Sequence, residues 1–260
     1  MRSRLRASGI HLGVSAAIAV ALVLLVTRVW YPDHLFTLAQ GRHIFFTVIA
    51  CDVVLGPMMT LLVFNTRKPG RELVLDVAII ATVQLAALGY GVSTLLAARP
   101  AYIVYNVGQF NVPLADEMSV GLNDRTDGSA VRVPWFGPKL VGAVLPKDPQ
   151  QRTRLLFAAA FRGGDVYQMT RYFVAYDSLR REIVAHAKGA AQIARALGIS
   201  PAVVAAAVSA AAPHRPSVKY LPLVVRNALA LAMVDGRNGD FLGVVPLPAS
   251  PGRGAPGPRH

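Results

Sequence analysis

The sequence has one cysteine, Cys51, in 260 residues. That excludes an intramolecular disulfide framework, a Cys-x-x-Cys redox pair and a multi-cysteine zinc site. Charge is scarce as well: 16% of the residues are Asp, Glu, Lys or Arg, against about 25% in an ordinary soluble domain. Acidic residues are the scarcest, 14 against 27 Lys and Arg, which leaves a formal net charge of +13. The shortage of charge falls mostly in the first 97 residues, so the basic excess is read first as topology-setting arginine and not as a nucleic-acid surface. No G-x-S-x-G, P-loop or dinucleotide fingerprint occurs, so nucleophile-elbow catalysis and phosphate cradling have no basis in the sequence. The six histidines (His11, His34, His43, His186, His214 and His260) stand at no metal-ligand spacing. No catalytic residue, metal or cofactor is expected.

Long apolar runs are what the chain does have. They cover residues 10–30, 43–64 and 73–97, each with roughly the 20 residues a helix needs to cross a bilayer. The first run follows Arg2, Arg4 and Arg6, as a secretory signal would, but it is too long for such a signal and two further runs follow it. Arg67, Lys68 and Arg71 lie between the second and third runs. The loop between the first and second has only Arg28 and Arg42 at its edges, with Asp33 inside. Positive loops stay inside. The expected topology is therefore a multi-pass membrane protein with its N-terminus cytoplasmic and everything after residue 98 outside. Trp30, Tyr31 and Pro32 then fall at the outer interface, where aromatic side chains hold helix ends.

The predicted fold class is a membrane protein of three transmembrane α-helices followed by a small α+β extracytoplasmic domain. The domains are residues 1–98 in the membrane, 99–248 outside, and a disordered Pro/Gly-rich tail at 249–260. In the outer domain, strands are expected at 102–107 and 130–133. Helices are expected at 149–161, stopped by Gly163-Gly164, at 178–197, and at 201–212. The runs 222–234 and 241–245 read as two strands flanking a six-residue loop, Asp235 to Asp240.

Asp52 is the most informative single residue, because a carboxylate inside an apolar span is costly and faces protein or a cavity. Gln84 lies at a similar depth in the third span and could bond with it. Gly56-Pro57, a turn after Asp52, should bend the helix and open backbone carbonyls. A proton or ion relay would need a chain of such groups and none is visible, so a polar clasp within the protein's own bundle, or a contact with another transmembrane helix, is favoured over it. Gly9, Gly13, Ala17 and Ala21 recur every four residues and form a small-residue packing stripe, expected first against the second and third spans and otherwise against a partner. Asp76, near the basic loop, is expected in an interfacial ion pair.

Several ordered segments carry a family resemblance. They are Ala7-Ser8-Gly9-Ile10-His11, Trp30-Tyr31-Pro32, Asp52-Val53-Val54-Leu55-Gly56-Pro57, Lys68-Pro69, Arg71-Glu72-Leu73, Gln84-Leu85-Ala86-Ala87-Leu88 and Ala98-Arg99-Pro100. Through residue 105 these resemble the TfpX/TfpZ family of type IV pilin accessory proteins; Trp135-Phe136-Gly137-Pro138 and the last hairpin are similar in type, and residues 185–212 diverge. The resemblance implies a non-enzymatic inner-membrane protein that promotes pilin stability or pilus assembly. Its partners would be a type IV pilin, the assembly machinery and the lipid bilayer. A membrane-anchored sensor with a ligand-binding periplasmic domain is the alternative reading, and a lipid- or glycan-processing membrane enzyme a third.

Overall fold

A computed structural model describes residues 2–39, 45–46, 49–63, 69–118, 133–146, 148–162, 165–211 and 217–248. The chain divides into two compact units. One joins Met1–Val29 to Gln40–Ala97, and the other joins Trp30–Ala39 to Ala98–His260.

The first unit is helical. Helix α1 (Arg2–Leu24) runs on as a π-helical segment, Leu25–Trp30. Its apolar stretch Leu5–Trp30 has 26 residues, about 39 Å at 1.5 Å per residue, longer than the roughly 30 Å hydrocarbon core. Before the next elements the second unit takes up the short helix α2 (Leu35–Leu38). A π-helical stretch, Cys51–Leu55, then leads directly into α3 (Gly56–Val63). The π-helical turn ends at Gly56-Pro57, where proline removes a backbone donor, one of the recognised causes of helix irregularity. Helix α4 (Gly70–Ala97) has 28 residues. Among the described residues two helices are long and apolar enough to cross a membrane, α1 with its extension and α4, rather than the three expected. The run at 43–64 is described only in part, and its apolar helical piece is the shorter Val53–Leu62.

The second unit is built on a seven-stranded mixed sheet. Its strands are β1 (Tyr102–Asn106), β2 (Gln109–Asn111), β3 (Lys139–Ala143), β4 (Phe173–Ala175), β5 (Val218–Val225), β6 (Ala228–Asp235) and β7 (Phe241–Pro246), in the order β4-β3-β1-β2-β5-β6-β7. β1 is parallel to β3 and β2 to β5; the other pairs are antiparallel. Helix α5 (Pro149–Arg162) starts at the expected Asp148-Pro149. Three further helices follow: α6 (Arg180–His186), α7 (Ala190–Leu197) and α8 (Pro201–Ala211). Ile193 and Ala194 of α7 and Val204 of α8 pack on Tyr220, Leu231, Met233 and Val245 of the sheet. A second core joins Tyr102 and Val104 of β1 to Leu155 of α5, Met118 and Val166.

Two sequence expectations are corrected here. The run 222–234 is not one strand: β5 ends at Val225 and β6 begins at Ala228, with Arg226 at φ 51° in the turn. A non-glycine residue in that region is uncommon, so nothing in Arg226-Asn227 announced a tight turn. The helix expected at 178–197 is broken between α6 and α7. The Lys188 amide donates to the Tyr220 carbonyl at 3.0 Å, and the Tyr220 amide donates back to Lys188 at 2.8 Å. Two strand-like bonds to a residue 32 positions away thus hold residue 188 out of the helix, and Gly189 restarts it as the N-cap of α7. The expected strand at 130–133 lies outside the described residues but for Val133, and the glycine stop at 163–164 and the tail at 249–260 lie outside them altogether.

Candidate functional site

Helix α1 has two faces. Ser15, Leu22 and Val26 are buried, and Ser8 and His11 are half-buried on the same side. Their spacings of three, four and seven follow the 3.6-residue period of a packed helix face. Gly9, Gly13, Ala17 and Ala21 lie on the opposite side and are exposed. Among the described residues, a Cβ added at Gly9 or Gly13 would meet no atom within 4 Å. The small-residue stripe is thus exposed, with no close helix approach to it from the described parts of the second and third apolar segments.

The inward face carries polar bonds to α3. The Ser8 hydroxyl donates to the Pro57 carbonyl at 2.9 Å, and His11 Nδ1 is hydrogen-bonded to Thr60 Oγ1 at 2.6 Å. Gly56 and Pro57 are both buried. A Cβ on Gly56 would meet the side-chain amide of Gln84 in α4, which would have to swing aside to make room. Gln84 and Asp76 are half-buried on the α4 face that also holds the buried Gly91 and Leu95. The structure thus brings Gly56, Pro57 and Gln84 together with Ser8, His11 and Thr60, residues for which the sequence offered no role. Asp52 belongs to the π-helical stretch, and its side chain lies outside the described residues.

Trp30 and Tyr31 are buried in the sheet-bearing unit, at 7% and 1% exposure, with Pro32 half-buried. Tyr31 packs edge-on to Phe36, 5.6 Å between ring centres. Burial pushes its phenol pKa up, opposed by Arg226. Arg226 itself pairs with Asp116 at 3.2 Å and Glu117 at 3.4 Å.

The other polar groupings of this unit hold its loops. The Tyr105 hydroxyl donates to Glu182 Oε1 at 3.2 Å and is bonded to His186 Nδ1 at 3.1 Å. Arg180 donates to Asp177 at 2.7 Å and pairs with Asp240, while the Tyr176 hydroxyl donates to the Gly239 carbonyl at 2.6 Å. The first pair joins β1 to α6, and the Asp240 and Gly239 contacts join the β6–β7 loop to the start of α6 and the residues before it. Among the described residues, no group of three His, Cys, Asp or Glu side chains could hold a metal ion.

Comparison with known proteins adds what the geometry lacks. The sequence model of the family described as fimbrial assembly protein FimB matches residues 1–33, the segment that carries both faces of α1. The chain is 28% identical over 248 residues to each of two fimbrial assembly proteins of Dichelobacter nodosus, from serogroups E1 and I. Each alignment covers 93% of this chain and 94% of the relative. A third, from serogroups C1 and C2, is 31% identical over 105 residues, 40% of this chain and 80% of its own length. No solved structure matches.

Proposed function

This chain belongs to the fimbrial assembly protein FimB family, and from that premise we propose that it is a non-enzymatic accessory protein of the bacterial inner membrane that promotes the stability or assembly of a type IV pilin. Its relatives are fimbrial assembly proteins, so its own role lies in fimbrial biogenesis. The TfpX/TfpZ-type motifs narrow that role to pilin handling. In this reading α1, the segment at 43–64 and α4 all cross the membrane, the N-terminus is cytoplasmic, and the sheet-bearing unit is periplasmic.

The observation that carries the proposal is the outward stripe Gly9, Gly13, Ala17 and Ala21. Small residues let helix backbones approach closely in lipid, where no hydrophobic force joins helices. On the other side, Ser8, His11 and Gly56 spend their contacts inside the protein's own bundle. The clasp thus fixes α1, and the stripe remains open for the single apolar helix of a pilin waiting in the membrane. The sheet-bearing unit would meet the pilin head, and two linked contacts gain avidity without either being strong.

Deleting the gene in its host and measuring pilin in sheared-surface and whole-membrane fractions tests this. Loss of surface pilin with normal membrane pilin places the protein at assembly; loss of both makes it a stabiliser of pilin. Unchanged amounts in both fractions, under piliating conditions and with no related gene present, reject the proposal.

A further inference from the structure

Trp135 and Phe136 are adjacent and exposed, at 65% and 80%. Two neighbouring aromatics open to water are unusual enough to ask what covers them. Register places them. The parallel pairing of β1 and β3 sets Lys139 beside Tyr102, and the Lys139 amide donates to the Ala101 carbonyl at 3.2 Å. The residues just before β3 therefore lie at the same end of the sheet as residues 98–101, which follow directly on α4.

Arg99 fixes the loop there. Its side chain is 6% exposed, and its Nε and Nη2 donate to the Pro134 carbonyl at 3.2 and 2.9 Å. Its guanidinium carbon also stands 5.6 Å from the centre of the Trp135 ring. Gly137, at φ 59°, turns the chain after Phe136 into β3. Arg99 is two residues past Ala97, at most about 7 Å along the backbone. Tyr31, the first residue beyond the extension of α1, lies within electrostatic reach of Arg99 and Arg226. Two of the three points where the chain passes between the units, after Val29 and after Ala97, thus open on one pole of the sheet, and the aromatic pair sits on that pole.

We propose that Trp135 and Phe136 insert into the interfacial layer of the bilayer leaflet from which α4 emerges, anchoring the sheet-bearing unit by this pole. An indole, with its apolar ring and one N–H donor, is suited to that layer, where tryptophan concentrates in membrane proteins. Exposed Lys139, three residues on, adds a cation that can reach lipid phosphate. The proposal rests on the membrane-anchored reading given above.

The test uses the full chain in phosphatidylcholine vesicles. Flotation with the vesicles checks the membrane reading first. The chain has two tryptophans, so the emission of the wild type minus that of Trp135→Phe isolates Trp135 without disturbing buried Trp30. In vesicles of lipid brominated near the acyl-carbonyl end, this difference emission should lose most of its intensity, while aqueous iodide quenches it little. Protein that floats but whose difference emission ignores brominated lipid and yields to iodide overturns the anchor and leaves the membrane reading standing. Shielding from iodide that appears only with a pilin present assigns the pair to a protein partner and also overturns it. Protein that does not float overturns both.

Discussion

The Ser8 hydroxyl donates to the Pro57 carbonyl across 49 positions of sequence, at 2.9 Å. One helical turn further along both helices, His11 and Thr60 repeat the contact. Interhelical polar bonds of this kind are worth roughly 0.6–2 kcal/mol in a membrane, so two of them, with Gln84 close against Gly56, determine which face of α1 turns inward. That choice leaves the small-residue stripe outward, and on it the proposed recognition of a pilin depends.

Gly56→Ala should displace Gln84. The new methyl group meets only the amide end of that side chain, which can swing aside, so the loss should lie at the low end of the about 1–3 kcal/mol that overpacking a filled site costs. Unfolding by detergent titration should show that loss, and adding Gln84→Ala should return part of it. Equal stability of Gly56→Ala and the wild type would contradict the close approach of α3 and α4.

Gly13→Leu separates recognition from folding. Among the described residues nothing lies over Gly13, so the substitution should shift stability by no more than about 0.5 kcal/mol. Bulk on the stripe blocks close helix approach, so pilin co-purification and surface piliation should fall sharply, with Gly13→Ala milder. Normal pilin recovery with Gly13→Leu would move the contact elsewhere.

Much of the fold of the sheet-bearing unit was legible in the sequence because its signals are local. Asp148-Pro149 and Ser200-Pro201 mark helix starts at α5 and α8, and the Asp235 to Asp240 loop announced its hairpin. Apart from the local turn at Arg226-Asn227, the errors arise from contacts between residues far apart in the chain. Lys188 leaves a helical pattern only because Tyr220 bonds it on both backbone groups. Residues 30–39 read as a loop between spans, yet Tyr31, Leu35 and Leu38 are buried in the sheet-bearing unit. Spacing identified the small stripe on α1, but only the bonds from Ser8 and His11 show which way it faces.

The β6–β7 loop should be acid-sensitive. Hydrogen bonding from Arg180, helped by Asn238, holds the Asp240 carboxyl below its ordinary range. A folded-state pKa depressed in this way stabilises above the unfolded value, near 3.9, and that contribution disappears as pH falls through the folded value. Carbon-13 titration should place Asp240 below an unperturbed aspartate, and Arg180→Gln should raise it. In the same range the Gly239 amide, which donates to the Asp235 carbonyl at 2.8 Å, should lose protection relative to its intrinsic exchange rate. An Asp240 that titrates normally would remove the pair from the loop's stability.

Alkali should act through Tyr31 and Tyr105, whose phenols are fully enclosed. Burial raises both, and Glu182 raises Tyr105 further. A raised folded pKa gives stability that is complete below the unfolded value, about 10, and is lost as pH climbs through the folded one. Ultraviolet titration should therefore show these two phenols ionising only together with unfolding, after ordinary phenols have titrated. Tyr31→Phe removes one such group, so its stability should fall less steeply above pH of about 10. Tyr105→Phe should flatten the same limb but start lower at neutral pH, by about 1 kcal/mol, because Glu182 and His186 lose the hydroxyl they share. Both variants should share one shallower alkaline slope, a pattern that a general loosening of the core would not produce.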